Sequence, residues 1–346
     1  MRRPLIAFGV LVLLFLAVGV ASLLGVGPLA PRTAARSVVF VAISRSTDEA
    51  DAREIEAIDL EAGTRELFDA GGRITAMAIS PDRRSLYVGL DGGKVVLLDA
   101  TTGSQFGAVD LGGPTVVSLN PTADGNTLFV VAVTNVQTTV VPIDLGPKKA
   151  AEPLTFPMTG GPAVIRGDTL LVPLGDPQRL QVAFVDIGRR TLRSRLILPR
   201  GSSVPPVAFP IDAGRTGIVA FDSGLTSGSL GMRMYVVIDQ LLWSDVPLEA
   251  PFPLGFGRPR IGIGLQGAAS ASGAIQVCSS AGTSARRYLI GADLKATSAG
   301  ADCGPLAGGA EIVMAKRDPA QLLVLDGTGK TLRTLPLAGV PARLVH

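Results

Sequence analysis

The chain has 346 residues, 47% hydrophobic and 18% charged, with 42 Gly and 25 Pro. That mixture is too apolar for a disordered chain, and two Cys are too few for a disulfide scaffold or a multi-zinc protein. One His and a formal charge of +3 leave little room for His-dependent chemistry and give no electrostatic footprint for nucleic acid.

The first predicted element is a segment over residues 1–31. No residue from Pro4 to Pro31 is charged, and Arg2 and Arg3 precede the run. A stretch of about 18 or more apolar residues is long enough to span a bilayer as one helix. Leading arginines favour an N-terminus on the cytoplasmic side. The expectation is a single-pass anchor through residues 4–31 with the rest of the chain outside. The alternative is a cleaved signal peptide, with Gly19 and Ala21 as the small residues before a cut near Ala21. Either route places residues 32–346 beyond the cytoplasmic membrane.

Residues 32–346 read as one all-β domain. Apolar runs rich in Val, Ile and Leu are short and separated by Gly, Asp, Pro, Ser and Thr clusters. One element recurs seven times: a strand-like run ending in Asp, at Asp59, Asp99, Asp144, Asp186, Asp239, Asp293 and Asp326. The mean step of 44.5 residues is that of a four-stranded propeller blade. The expected fold is therefore a seven-bladed β-propeller. SVVFVAI at 37–43 reads as a second strand, and ARLVH at 342–346 reads as a first strand. The C-terminal strand should complete the blade begun at residue 37, with His346 as its last residue. One repeat lacks a clear first strand, near Asp302–Leu306. Each of the seven Asp is read as the cap of the turn after a third strand, since a short carboxylate accepts backbone N–H bonds there.

Residues 74–103, ITAMAISPDRRSLYVGLDGGKVVLLDATTG, resemble the YVTN-type β-propeller repeat of bacterial exported and surface proteins. The matching positions include Ser80, Pro81, Asp82, Tyr87, Val88, Asp99, Thr102 and Gly103; Arg83 stands where Gly is usual. The resemblance implies a propeller. It implies little about activity, because the fold carries lactonases, quinoprotein subunits and pure binding modules.

No cofactor is called for by the sequence. The only His is terminal, so a Ser–His–Asp or Cys–His site is not expected. Trp243 lies on a predicted outer strand and reads as a packing residue. Cys278 and Cys303 form an even pair in an exported domain, which points to a disulfide; two unpaired buried thiols are the alternative. The loops between second and third strands open on one face of the disc. They carry Arg45, Asp48, Glu49, Asp51, Arg53, Asp176, Arg179, Asp222, Lys316, Arg317 and Asp318 as candidate ligand-face residues.

The leading expectation is an extracytoplasmic, membrane-anchored binding module whose partner is another envelope protein or a small ligand. A propeller enzyme, lactonase-like or quinoprotein-like, is the competing expectation, and a structural envelope component is the third.

Overall fold

The computed structural model describes residues 34–35, 37–202, 204–222, 231–248, 263–281 and 284–346. The expected membrane segment and most of the loop after Asp222 lie outside the described residues. Among the described residues, no helix is long and apolar enough to cross a membrane.

Seven antiparallel sheets make the seven blades of a β-propeller. Blade 2 shows the plan. Its strands run Ile74–Ile79, Ser85–Leu90, Lys94–Asp99 and Gln105–Asp110 from the axis outward. The middle strands SLYVGL and KVVLLD are buried on both faces. Continuous Val/Leu runs suit strands sandwiched between neighbouring blades, where no side faces water. Outer strands alternate and are largely exposed, as in TLRSRLIL over Thr191–Leu198.

Blade 1 is built from both ends of the propeller domain. Its order from the axis is Val340–Val345, Val38–Ser44, Glu54–Asp59 and Arg65–Asp69. The C-terminal strand pairs antiparallel with Val38–Ser44 in the register Phe40–Val345, Val41–Leu344 and Ala42–Arg343. Alternation then splits Val38–Ser44 between two neighbours. Phe40 and Ala42 face the cluster shared with blade 2, beside Leu86, Val96 and Ala342. Val39, Val41 and Ile43 face blade 7, beside Val313 and Leu322. The last strand therefore seals two interfaces and closes the ring.

The poorly marked first strand is the two-residue Leu306–Ala307 of blade 7. Immediately before it, Cys303 is disulfide-bonded to Cys278 in the second strand of blade 6. The bridge lies against Ala268, Met314 and Leu325, where the short strand offers little backbone pairing of its own.

The turns explain the recurring small polar residues. Ser80 Oγ donates to Asp82 Oδ1 at 2.6 Å, and the Arg84 N–H donates to the same oxygen at 3.1 Å. Thr122 and Asp124 repeat the device in blade 3. Arg83 has φ +57°, the left-handed conformation that Gly125 adopts at φ +69° in blade 3. Arg83 also reaches back to donate to the Val38 carbonyl at 2.6 Å, a contact between blades that Gly could not make.

The strand-end Asp residues divide into two groups. Asp59, Asp99, Asp186, Asp293 and Asp326 accept backbone N–H bonds in the following turn, for example Glu61 N to Asp59 at 2.9 Å and Thr328 N to Asp326 at 2.8 Å. Asp144 departs from the expectation by forming an ion pair with Arg190 of blade 4. Asp239 departs in another way: it follows the strand end at Ile238 and, with Gln240, takes positive φ in a two-residue turn. That geometry matches the right-handed strand twist and needs no side-chain cap. Trp243 lies on an outer strand as expected but is not packed away; it is 54% exposed, with Arg215 6.0 Å from its ring.

Candidate functional site

The first strands of the blades surround an axial cavity of about 920 Å³. Its wall is mostly small, apolar or neutral, including Ala76, Met77, Val117, Gly160 and Leu344. Close approach of the inner strands imposes some of this. A Cβ on Gly161 would stand 1.9 Å from the Pro206 carbonyl oxygen, so only Gly lets these two strands meet at the axis.

Polar groups on the wall are sparse. Ser118 Oγ accepts from the Ala163 N–H at 3.2 Å, tying blade 3 to blade 4. Asn120 Nδ2 donates to Ser118 Oγ at 3.0 Å and to the Phe129 carbonyl at 3.3 Å. Thr75, Gln266 and His346 also line the cavity. At the mouth on the side of the second-to-third-strand loops stand Glu49, Arg73 and Asp91. Arg73 is ion-paired with Asp91, and Glu49 with Arg317. The lining holds one more charged side chain, Arg343 of the closing strand. Its Nε donates to the Thr75 carbonyl at 2.8 Å and its Nη1 to the Ala342 carbonyl at 2.8 Å. Arg343 is open to the cavity, yet the surrounding strands desolvate it and pull its guanidinium below its ordinary pKa. The guanidinium of arginine carries its charge at neutral pH.

Of the predicted ligand-face residues, Glu49 and Arg317 meet as an ion pair between blades 1 and 7, and the others do not join them. Those of blade 1 turn toward the closure. Arg45 bonds Glu54 at 2.7 Å and donates to the Ala338 carbonyl at 3.2 Å. Asp48 caps the 3-10 turn Glu49–Asp51 through the Ala50 N–H at 2.9 Å. Arg53 pairs with Asp51 at 3.0 Å. Desolvation by its neighbours lowers the pKa of Arg317, and Asp48 opposes the shift. Lys316 and Asp318 flank Arg317 at the end of the second strand of blade 7. Asp176 and Arg179 form a local pair at 3.6 Å in blade 4, and Asp222 ends the second strand of blade 5. Blades 4 and 5 stand across the ring from blade 1, so these residues make separate local structures.

Among the described residues, no three His, Cys, Asp or Glu side chains come together in a metal-binding group. Sequence reasoning missed Arg343. The only signal was an Arg inside a five-residue closing strand, and nothing in the alternation said that it faces the axis.

No family model matches the chain, and no curated protein matches it. Solved structures do. Hydrazine synthase of Kuenenia stuttgartiensis is similar at 15% identity with a TM-score of 0.61, over 79% of this chain and 89% of that one. The dihydro-heme d1 dehydrogenase NirN in complex with DHE is similar at 15% identity with a TM-score of 0.56, over 89% and 66%. The WD40 repeats of RRP9 are similar at 11% identity with a TM-score of 0.54, over 79% and 83%. Enzymes and repeat domains alike stand among these neighbours, and at such identities the likeness establishes the β-propeller fold alone.

Proposed function

We propose that this chain is a β-propeller held outside the cytoplasmic membrane by its N-terminal segment, where it works as a binding module rather than an enzyme. The observation that carries the binding reading is the make-up of the axial cavity. Apart from Arg343 and His346, its wall is small, apolar or neutral, and each acid at its mouth has its own arginine partner. General acid–base chemistry needs a carboxylate or His placed against the reacting atoms with a matched pKa; the carboxylates here are ion-paired at the rim, and among the described residues His346 is the one imidazole on the wall. The charge-free run 4–31 and the bridged cysteine pair support export, since disulfides persist in oxidising compartments. The resemblance of residues 74–103 to YVTN-type repeats points the same way.

Two fusions after His346 test the location. A C-terminal alkaline phosphatase should be active and a C-terminal green fluorescent protein dark; the reverse pattern overturns the reading. A photo-crosslinker at Asp91, at the cavity mouth, tests the binding role in membranes. It should give a discrete adduct that the same group at Leu332, on the outer rim, does not give. Identical adduct patterns at both positions would count against the mouth as the binding face.

A further inference from the structure

We propose that the axial cavity binds an organic monocarboxylate, seated on the guanidinium of Arg343. This rests on the binding reading above and adds the chemical class of the ligand.

Three observations combine. First, Arg343 has no carboxylate partner among the described residues. The acids that line the cavity are already engaged, Asp91 with Arg73 and Glu49 with Arg317. Second, its donors are divided in a way that leaves a fork. Nε and one Nη1 hydrogen are held by the carbonyls of Thr75 and Ala342. The other Nη1 hydrogen and both Nη2 hydrogens remain, and a guanidinium edge of that kind fits the two oxygens of a carboxylate. The backbone bonds also fix the plane of the group, so little freedom is lost on binding. Third, the space beside it is large enough and of suitable character. The cavity of about 920 Å³ is walled by Met77, Val117 and Leu344 among others, which suits a short apolar body.

One unmatched cation favours a single negative charge. A phosphate dianion would leave one charge without a partner, whereas a carboxylate is neutralised by the one guanidinium. The site is also coupled to the architecture. Arg343 belongs to the closing strand of blade 1 and bonds the inner strand of blade 2. An anion held there stabilises the closed ring and leaves the open one unaffected, so occupancy should protect the closing strand from exchange.

The test uses the full chain in a nonionic detergent. Hexanoate, hexanamide and inorganic phosphate are compared by ligand-observed NMR and by hydrogen exchange of residues 340–345. Hexanoate should bind and slow exchange of the closing strand; hexanamide, equal in size and neutral, should bind at least about tenfold more weakly, the loss expected for a charge-assisted hydrogen bond. Arg343→Gln should bring hexanoate down to the level of hexanamide, and Arg343→Lys should recover only part of the difference. Equal binding of acid and amide to the native chain would overturn the proposal without any mutant, and so would no binding of hexanoate. Phosphate binding as well as hexanoate would overturn the monocarboxylate assignment. Unchanged hexanoate binding in Arg343→Gln would remove Arg343 from the site. Failure here with a discrete adduct at Asp91 would leave the binding-module reading standing; failure of both would remove it.

Discussion

Replacing Glu56 tests how the ring is locked. Glu56 lies on the third strand of blade 1 and is 1% exposed. Its carboxylate accepts from Arg65 at 3.2 Å and from the Ala338 N–H at 2.9 Å. Ala338 lies between the last outer strand of blade 7 and the closing strand, and its carbonyl accepts from Arg45. Two side chains of blade 1 thus hold both backbone groups of one residue at the entry to the clasp. Glu56→Ala removes the charged acceptor of the Ala338 N–H, at a cost of about 1.5–3 kcal/mol for a hydrogen bond to a charged group. Arg65 is partly solvated, so losing its partner adds no more than about 1 kcal/mol. The expected total is about 2–3 kcal/mol. Glu56→Gln keeps an acceptor for the Ala338 N–H but turns its amide nitrogen toward Arg65, so it should cost about 1–2 kcal/mol, less than Glu56→Ala. Urea unfolding followed by circular dichroism reads both values. Equal costs for the two variants would show that charge, not the backbone bond, is what matters. A loss below about 0.5 kcal/mol for Glu56→Ala would refute the locking role.

Three further outcomes follow from other parts of the disc. Cys278→Ser with Cys303→Ser should lower stability by about 3 kcal/mol in the chain-entropy picture for a separation of 25 residues, and mass spectrometry of the unreduced native chain should find no free thiol. Gly161→Ala drives a Cβ into the Pro206 carbonyl and should destabilise by about 2 kcal/mol or more; a neutral effect in urea melts would show that the inner strands can part freely. Hydrogen bonds from Arg193, then Thr169, hold the Asp168 carboxyl at about 2, and the Arg189 N–H, then Arg193, lowers Asp186. Depressed carboxyls stabilise the fold above their unfolded pKa of about 4 and lose that contribution as pH falls through the folded value. The stability gap between the native chain and Arg193→Gln should therefore be full at neutral pH and shrink between about pH 4 and pH 2.

The ring was legible in the sequence because its determinants are periodic. Strand runs buried on both faces, turn residues and a mean step of 44.5 residues fix blade number, and the phase of SVVFVAI against ARLVH fixes the closure. Even the two-residue inner strand of blade 7 showed as a missing beat. The site was much less legible. Strand alternation tells which neighbouring blade a side chain faces, but an inner strand has a third direction, toward the axis, that it does not mark; Arg343 was missed for this reason. Long-range partners were equally hidden. Arg45 reads as a solvated loop charge until Ala338 is found beside it. Asp144 and Asp239 share the strand-end position with the capping Asp residues, yet a nearby Arg190 and a positive-φ turn give them other surroundings.

The closed seven-bladed ring is the central claim, because the cavity, the clasp and the placement of Arg343 all depend on it. Hydrogen exchange of the full chain, resolved by peptide, tests it most directly. The amides of residues 340–345 that pair with 38–44 should be strongly protected, while those on the axial edge of the strand exchange faster. Free exchange of 340–345 beside a protected 38–44 would contradict closure by the C-terminal strand.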